Sequence, residues 1–393
     1  MKGKTRFNLI VKKLIIIQLI LIFITGTISG QVRVRIFAGQ KPSSAVFTVI
    51  KGKYDLDVYD GTSMTLPVGE PLIMAMFNGK IAIKTRNSKS FLCDSLIVKG
   101  ITGNDRFSFK VSNGSEIRQF YDGDLQCISD LGIMVLINIC DTEQYIAGVV
   151  RTEGGPGKNI EYLKSQAVLA RTYTYKYSDR HIIDRYNLCD NIHCQAFKGI
   201  SYDTLINRAV RETKGLVVLT MDSSLIISAF HSNCGGETSA PEDVWLSGYS
   251  YLKKVIDPYC VNSYNALWKK SVPVTEWETY LKNSGFEERA GSPPDYNFTQ
   301  LTRQNDYTVE NFSLPFGRIR EDLKLRSSFF SVTREGNSII FKGRGYGHGV
   351  GLCQEGAMVM ASRGFKFSDI IGFYYSGVII TDIKNAKVVK NLF

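Results

Sequence analysis

The stretch DTEQYIAGVVRTEGGPGKNIEYLKSQAVLARTYTYKY, residues 141–177, reads as two helices broken at GGPG, with a single carboxylate, Glu153, at the break. Tyr145 and Val149 lie on one helical row, and one more four-residue step lands on Glu153, so the carboxyl falls on the buried stripe just before Gly154, Gly155 and Pro156 stop the helix. Burial disfavours the charged form, and the negative end of the helix dipole adds a penalty of about 0.3 to 1 kcal/mol of the same sign. Both raise the pKa toward what a general acid needs at neutral pH. The competing reading is a solvated glutamate at a frayed helix end.

Three further clusters could do chemistry. In HIIDRYNLCDNIHC, residues 181–194, Cys189, His193 and Cys194 fall within six residues and His181 is near enough to reach the same point, so thiolates and imidazoles could complete a tetrahedral zinc site. A Cys189–Cys194 disulfide is the alternative in an oxidising compartment. In FHSNCGGET, residues 230–238, an apolar strand runs into His231, Ser232 and the pair Gly235 and Gly236, which permit close backbone approach to a ligand. Ser232 beside His231 suggests a hydrolase. Neighbours on a strand face opposite sides, however, and the chain has no G-x-S-x-G elbow.

The third cluster is GRGYGHGVGLCQEG, residues 343–356. It lacks the Lys-Ser/Thr and the βαβ context of a phosphate loop. It reads better as a strand-turn-helix presenting His348 and Gln354 to a cleft, with glycines that let an extended ligand lie against bare backbone. A structural hairpin with a buried histidine is the alternative.

The elements that must position these groups can be read around them. Asp141 followed by Gln144 signals a helix start near Thr142, and Asn159 with Glu161 signals the second helix. Leu163, Ala167, Ala170 and Thr174 give the second helix a small-residue face, flanked by Gln166 and Arg171. Before the helices, residues 31–128 run as short alternating segments ending in Gly, Asn or Asp, a β-rich region without a cluster of chemical groups, and Ile133–Ile139 reads as a strand feeding the first helix. Residues 129–260 and 319–380 form the expected catalytic part, 261–318 an insertion or lid, and 381–393 a tail. Strands and helices without a regular βαβ rhythm predict an α+β fold, with a β-rich N-terminal region and a mixed catalytic part.

At 393 residues the chain has room for two or three domains, and its net charge of +11 points to polyanionic surroundings. The basic residues are spread without a nucleic-acid-binding motif, which argues against nucleic acid and for a cell wall or membrane surface. Residues 1–30, basic, then apolar from Leu14 to Ile24, then TGTISG, read as an export signal or an uncleaved N-terminal anchor. The expected location is the periplasm or cell envelope, where the eight cysteines could form disulfides; Cys93, Cys127 and Cys140 read as buried thiols, and Cys234 with Cys260 as a pair to check.

YIAGVVRTE with LKSQAVLARTY, CDNIHCQAFKG, FHSNCGGET with EDVW, and GRGYGHGVGLCQEGA with FYYSGV, in this order and spacing, resemble the stage II sporulation protein D (SpoIID/LytB) domain family. The resemblance covers roughly Val32 to Ile380 and is dense from Arg118 onward. It implies a peptidoglycan lytic transglycosylase in which Glu153 matches the family's catalytic glutamate. The alternative it carries is a non-catalytic wall-binding protein that enhances an N-acetylmuramoyl-L-alanine amidase. It implies structural zinc at Cys189, His193 and Cys194, with His181 as fourth ligand on a longer spacing than in the family. Glycan strands are the implied partner, a wall amidase a further one. Gln166, Arg171, His231, Ser232, Gly235, Gly236, His348 and Gln354 are the candidates for holding the sugar and its lactyl or N-acetyl groups.

Overall fold

The computed structural model describes residues 30–387 apart from 59–60, 62, 87–89, 113–117, 246 and 288–293. The segment that reads as an export signal, residues 1–29, lies outside the described residues. Among the described residues, alternation of apolar and polar residues builds twelve strands before the first helix: β1 (Gln31–Ile36), β2 (Ser44–Lys51), β3 (Tyr54–Val58), β4 (Ser63–Leu66), β5 (Pro71–Phe77), β6 (Lys80–Thr85), β7 (Phe91–Cys93), β8 (Ser95–Gly100), β9 (Arg106–Val111), β10 (Gln119–Asp122), β11 (Asp124–Asp130) and β12 (Ile133–Asp141).

In β1 the pattern is strict, with Val32, Val34 and Ile36 buried and the arginines between them turned outward. The strands form two sheets. One has the order β10-β9-β2-β5-β6-β7, and the other runs β1-β12-β11-β8-β3-β4 with the two-residue strand Leu188–Cys189 added outside β1. Aromatic side chains fill the space they enclose; Phe47 stacks on Phe107 at 4.7 Å between ring centroids and meets Tyr54 edge-on at 5.3 Å.

β12 is buried along most of its length and pairs with both β1 and β11. The strand that delivers the chain to the helices is thus an inner strand of the N-terminal sheet, and one hydrophobic core runs from Val32 to Tyr375 through both parts. Helix α1 (Thr142–Glu153) follows, capped by the Asp141 side chain, which accepts the N–H groups of Glu143 and Gln144. Helix α2 (Ile160–Lys176), capped by Asn159, is buried on nearly all sides, including Leu163, Ala167, Ala170 and Thr174. It is the central rod of the α-helical layer.

A second, separate core lies between Val272 and Phe341 and is built around Trp277, Tyr307, Phe316, Phe330 and Phe341. It includes the strands Phe330–Glu335 and Ser338–Arg344, which pair with each other, the second pairing also with Leu267–Pro273. The sequence boundary at residue 318 separates those two strands from the insertion; the apolar faces they share with Trp277 hold them to it. The fold is α+β. No helix among the described residues is long and apolar enough to cross a membrane.

Candidate functional site

Glu153 is the last residue of α1, and Gly154 closes the helix with its N–H on the Val150 carbonyl. Two glutamines and a loop hold this end in place. Gln354, the first residue of the helix Gln354–Ser362, donates from Nε2 to the Glu153 carbonyl at 2.7 Å and to Gln166 Oε1 at 3.2 Å. Gln195 is gripped by Thr174 Oγ1 and by the Ala170 carbonyl, and its neighbour Ala196 donates its N–H to Glu153 Oε1 at 2.6 Å. Close approach of that loop to α1 depends on Gly148, where a Cβ would stand 2.4 Å from the Gly199 carbonyl oxygen and the Phe197 ring.

Burial raises the Glu153 carboxyl to about 7, against the opposing pull of the Ala196 N–H. A carboxylic acid that still holds its proton at neutral pH can donate it. Its environment supplies little charge and much enclosure, the combination that the sequence placement on the buried stripe anticipates.

Glu153 opens on a cleft of about 540 Å³ whose lining also includes Tyr173, Tyr177, Arg180, Trp245, Tyr249 and His348. It is the only carboxylate among the described residues that line it. His348 is fixed rather than free: its Nδ1 accepts the Val350 N–H at 3.1 Å and its ring lies 5.4 Å from that of Trp245. Burial lowers its pKa to about 4, so the imidazole is neutral at physiological pH. On the opposite wall Arg180 lies over the Tyr177 ring at 4.4 Å and donates to Tyr173 OH at 2.7 Å. Arg180 and the aromatic residues are absent from the sequence reading. Tyr173, Tyr177 and Arg180 recur at helical spacing, and that row was the available signal.

The four residues read as metal ligands come together beside the cleft. Cys194 Sγ lies 3.5 Å from His181 Nε2 and 3.6 Å from His193 Nδ1, and Cys189 Sγ lies 3.8 Å from His193 Nδ1. A tetrahedral zinc ion with bonds of about 2.3 Å to sulfur and 2.0 Å to nitrogen spaces such ligands by roughly 3.5 Å, so the group fits that ion. The cysteines are free thiols, not a disulfide. Cys189 is also the end of the strand paired in parallel with β1, which ties the cluster to the N-terminal sheet.

Other residues proposed from sequence lie elsewhere. Arg171 is fully buried and forks onto Glu143 with bonds of 2.9 and 2.5 Å, while its third nitrogen donates to the Leu216 carbonyl at 3.0 Å. Helical spacing puts it beside the tight face of α2, but its guanidinium turns toward α1 and the Leu216 carbonyl and does not line the cleft. His231 sits behind His348 at 5.5 Å, its Nδ1 bound to the Val350 carbonyl, and Ser232 Oγ accepts from Asn265 Nδ2 at 3.2 Å.

Gly235 and Gly236 do take positive φ, yet a Cβ on Gly235 would meet Arg344 Cβ at 2.6 Å, so the close approach is to the protein's own chain. The same holds in the glycine-rich turn, where a Cβ on Gly347 would meet His231 Cβ at 2.9 Å and one on Gly351 the Ala229 carbonyl oxygen at 2.2 Å. Those glycines pack two segments against each other rather than exposing backbone to a ligand.

Comparison with known proteins agrees with this architecture. Residues 132–220, the span of β12, α1, α2 and the cysteine–histidine segment, match the family model described as Stage II sporulation protein. The chain is 33% identical over 259 residues to stage II sporulation protein D of Bacillus amyloliquefaciens and 30% identical over 261 residues to that of Bacillus subtilis, covering 61% of this chain and 74% of each relative. It is also 28% identical over 289 residues to the amidase enhancer of Bacillus subtilis, covering 60% of this chain but 40% of that longer protein. The helix pair that ends on Glu153 and the segment that carries its cysteines and histidines are therefore those of the SpoIID/LytB family, to which this chain belongs.

Proposed function

We propose that this protein is exported to the cell envelope and cleaves peptidoglycan glycan strands as a lytic transglycosylase, at the bond between N-acetylmuramic acid and N-acetylglucosamine. The observation that carries this reading is a lone carboxyl raised to about 7 on the wall of a cleft with no second carboxylate among its described lining residues. Ordinary glycosidases need a pair. A lytic reaction needs one, because the substrate supplies its own nucleophile.

With Oε1 engaged by the Ala196 N–H, Oε2 is left to carry the proton. Glu153 gives it to the glycosidic oxygen as the bond from that oxygen to the anomeric carbon breaks. The 6-hydroxyl of the muramic acid residue then closes on the anomeric carbon, and its proton returns to Glu153, leaving a 1,6-anhydro end and a regenerated acid. Tyr177, Trp245 and Tyr249 offer faces on which sugar rings can stack, and Arg180 offers a cation to a lactyl carboxylate. His181, Cys189, His193 and Cys194 would hold a zinc ion, whose four protein ligands leave no open position, so it would serve to fix the loop that brings Ala196 to Glu153.

The similarity to the amidase enhancer supports a second reading, a wall-binding protein that stimulates an N-acetylmuramoyl-L-alanine amidase without cleaving glycan itself. Mass spectrometry of purified sacculi, intact and stripped of stem peptides, after incubation with the full chain separates the two. Anhydro-ended fragments that disappear with Glu153→Gln are expected. Reducing-end products, or anhydro products undiminished by that substitution, would overturn the transglycosylase; binding without any product would leave the second reading.

A further inference from the structure

A second group of soft side chains lies apart from the cleft. Cys234, Asp257, Cys260 and Cys353 offer four ligand atoms within 4.8 Å of one another, and none of these residues has exposed surface. They come from three distant segments: the loop after the strand Phe230–His231, a turn that places Asp257 and Cys260 three residues apart, and the N-cap of the helix Gln354–Ser362. Cys234 Sγ is 3.3 Å from Cys260 Sγ and 3.2 Å from Asp257 Oδ2. A tetrahedral ion bonded at about 2.3 Å to sulfur and 2.0 Å to oxygen spaces its ligands by roughly 3.4 to 3.8 Å, close to this arrangement.

Backbone donors already point at the sulfurs. Cys353 Sγ accepts two backbone N–H groups, from Cys234 at 3.3 Å and from Gly356 at 3.4 Å, at the positive end of a helix. A thiolate removed from water needs a cation beside it. The buried Arg303 guanidinium, which donates to the Cys234 carbonyl at 2.8 Å, supplies part of the balancing charge for an anionic cluster. Asp257 is oriented from outside by the Tyr259 N–H at 2.8 Å and the Tyr374 hydroxyl at 2.9 Å, as carboxylate ligands commonly are. Gly356 keeps the space open, since a Cβ there would stand 2.3 Å from Asp257 Oδ2. A disulfide would engage two of the three sulfurs and make no use of the carboxylate.

We propose that Cys234, Asp257, Cys260 and Cys353 form a structural zinc site, distinct from the cysteine–histidine cluster beside Glu153. The three thiol protons leave to solvent on binding, and the four protein ligands close the coordination sphere. The ion clamps the loop that follows His231 to the helix whose first residue, Gln354, holds the Glu153 carbonyl. This site stands or falls independently of the proposed reaction.

Metal content is the readout, by elemental analysis and native mass spectrometry of the full chain purified without chelator, with circular dichroism to verify folding. The variant His181→Ala/His193→Ala strips two ligands from the first cluster and should retain one zinc per chain, with an X-ray absorption spectrum of three sulfurs and one oxygen. Adding Cys260→Ser or Asp257→Asn should remove that zinc. A folded double-histidine variant without zinc would overturn the proposal, as would peptide mapping that finds Cys234 disulfide-bonded to Cys260 or Cys353. If the histidine variant does not fold, the wild-type spectrum decides: five sulfurs to three lighter ligands over two ions supports the site, and equal numbers of sulfur and nitrogen refute it.

Discussion

The two ends of α1 carry the same side chain in opposite settings. At the first turn, Glu143 is forked by the guanidinium of Arg171, a pair held between α1, α2 and the Leu216 carbonyl. At the last turn, Glu153 meets one backbone N–H, and burial raises its pKa to about 7. A carboxylate given a fixed cation is committed to holding helices together; one enclosed without a cation keeps its proton and can pass it on. The residue type says nothing about which role results. The partner decides it.

The largest expected effect comes from removing the titrating end. Glu153→Gln should lower the rate of anhydro-product release by about 10²- to 10⁴-fold, the range for loss of a general acid, measured by fragment yield from sacculi. The same substitution should stabilise the fold at alkaline pH. A carboxyl whose folded pKa lies above its ordinary 4.5 contributes nothing unfavourable below pH 4.5, loses stability as pH rises toward 7, and carries its full cost above 7. Denaturant melts should therefore find wild type and Glu153→Gln equal at pH 4 and separated by up to about 3 kcal/mol at pH 8.

The opposite end predicts the reverse balance. Arg171→Met removes the buried partner of the partly exposed Glu143 and should cost about 1 to 3 kcal/mol of stability, seen as a lowered denaturation midpoint, while fragment release per folded molecule changes little. A drop in turnover as large as that of Glu153→Gln would erase the distinction between the two ends. A third measurement, the pH profile of turnover, should fall about tenfold per pH unit above roughly 7 as Glu153 loses its proton. A rate that keeps rising above that point would assign the proton to another group. The smallest effect belongs to the cleft wall: Trp245→Ala should raise KM roughly 2- to 10-fold by removing one aromatic face, with kcat nearly unchanged.

Local signals in the chain were the ones that could be read without coordinates. Asp141 and Asn159 cap their helices through side-chain oxygens a few residues from their donors, and the four-residue step from Val149 to Glu153 lies within one helix. His181, Cys189, His193 and Cys194 converge because they are close in sequence and turn back on one another through a short 3₁₀ turn and two strand residues. Contacts across long separations were hidden. Nothing near Arg171 in the sequence marks Glu143 as its partner rather than a sugar, because the match depends on how two helices cross. Cys234 and Cys260, 26 residues apart, could be suspected as a pair, but nothing local showed that Cys353 joins them, at a separation of 119 residues from Cys234. Tyr177 and Tyr249 look like core residues by type; only the shape of the cleft turns their rings toward it.

The parallel addition of Leu188–Cys189 to the outer side of β1 bears on how the chain assembles during synthesis. β1 is made early, yet among the described residues its outer edge finds a partner only when Asn187, 154 residues later, accepts the Arg33 N–H. Until that segment exists, Val34 and its neighbours present unpaired backbone, a template for association with other chains. Such a late closing contact also makes for slow folding. A chain halted before residue 187 should therefore aggregate more readily than one released complete, even though every strand from β1 to β12 has already been made.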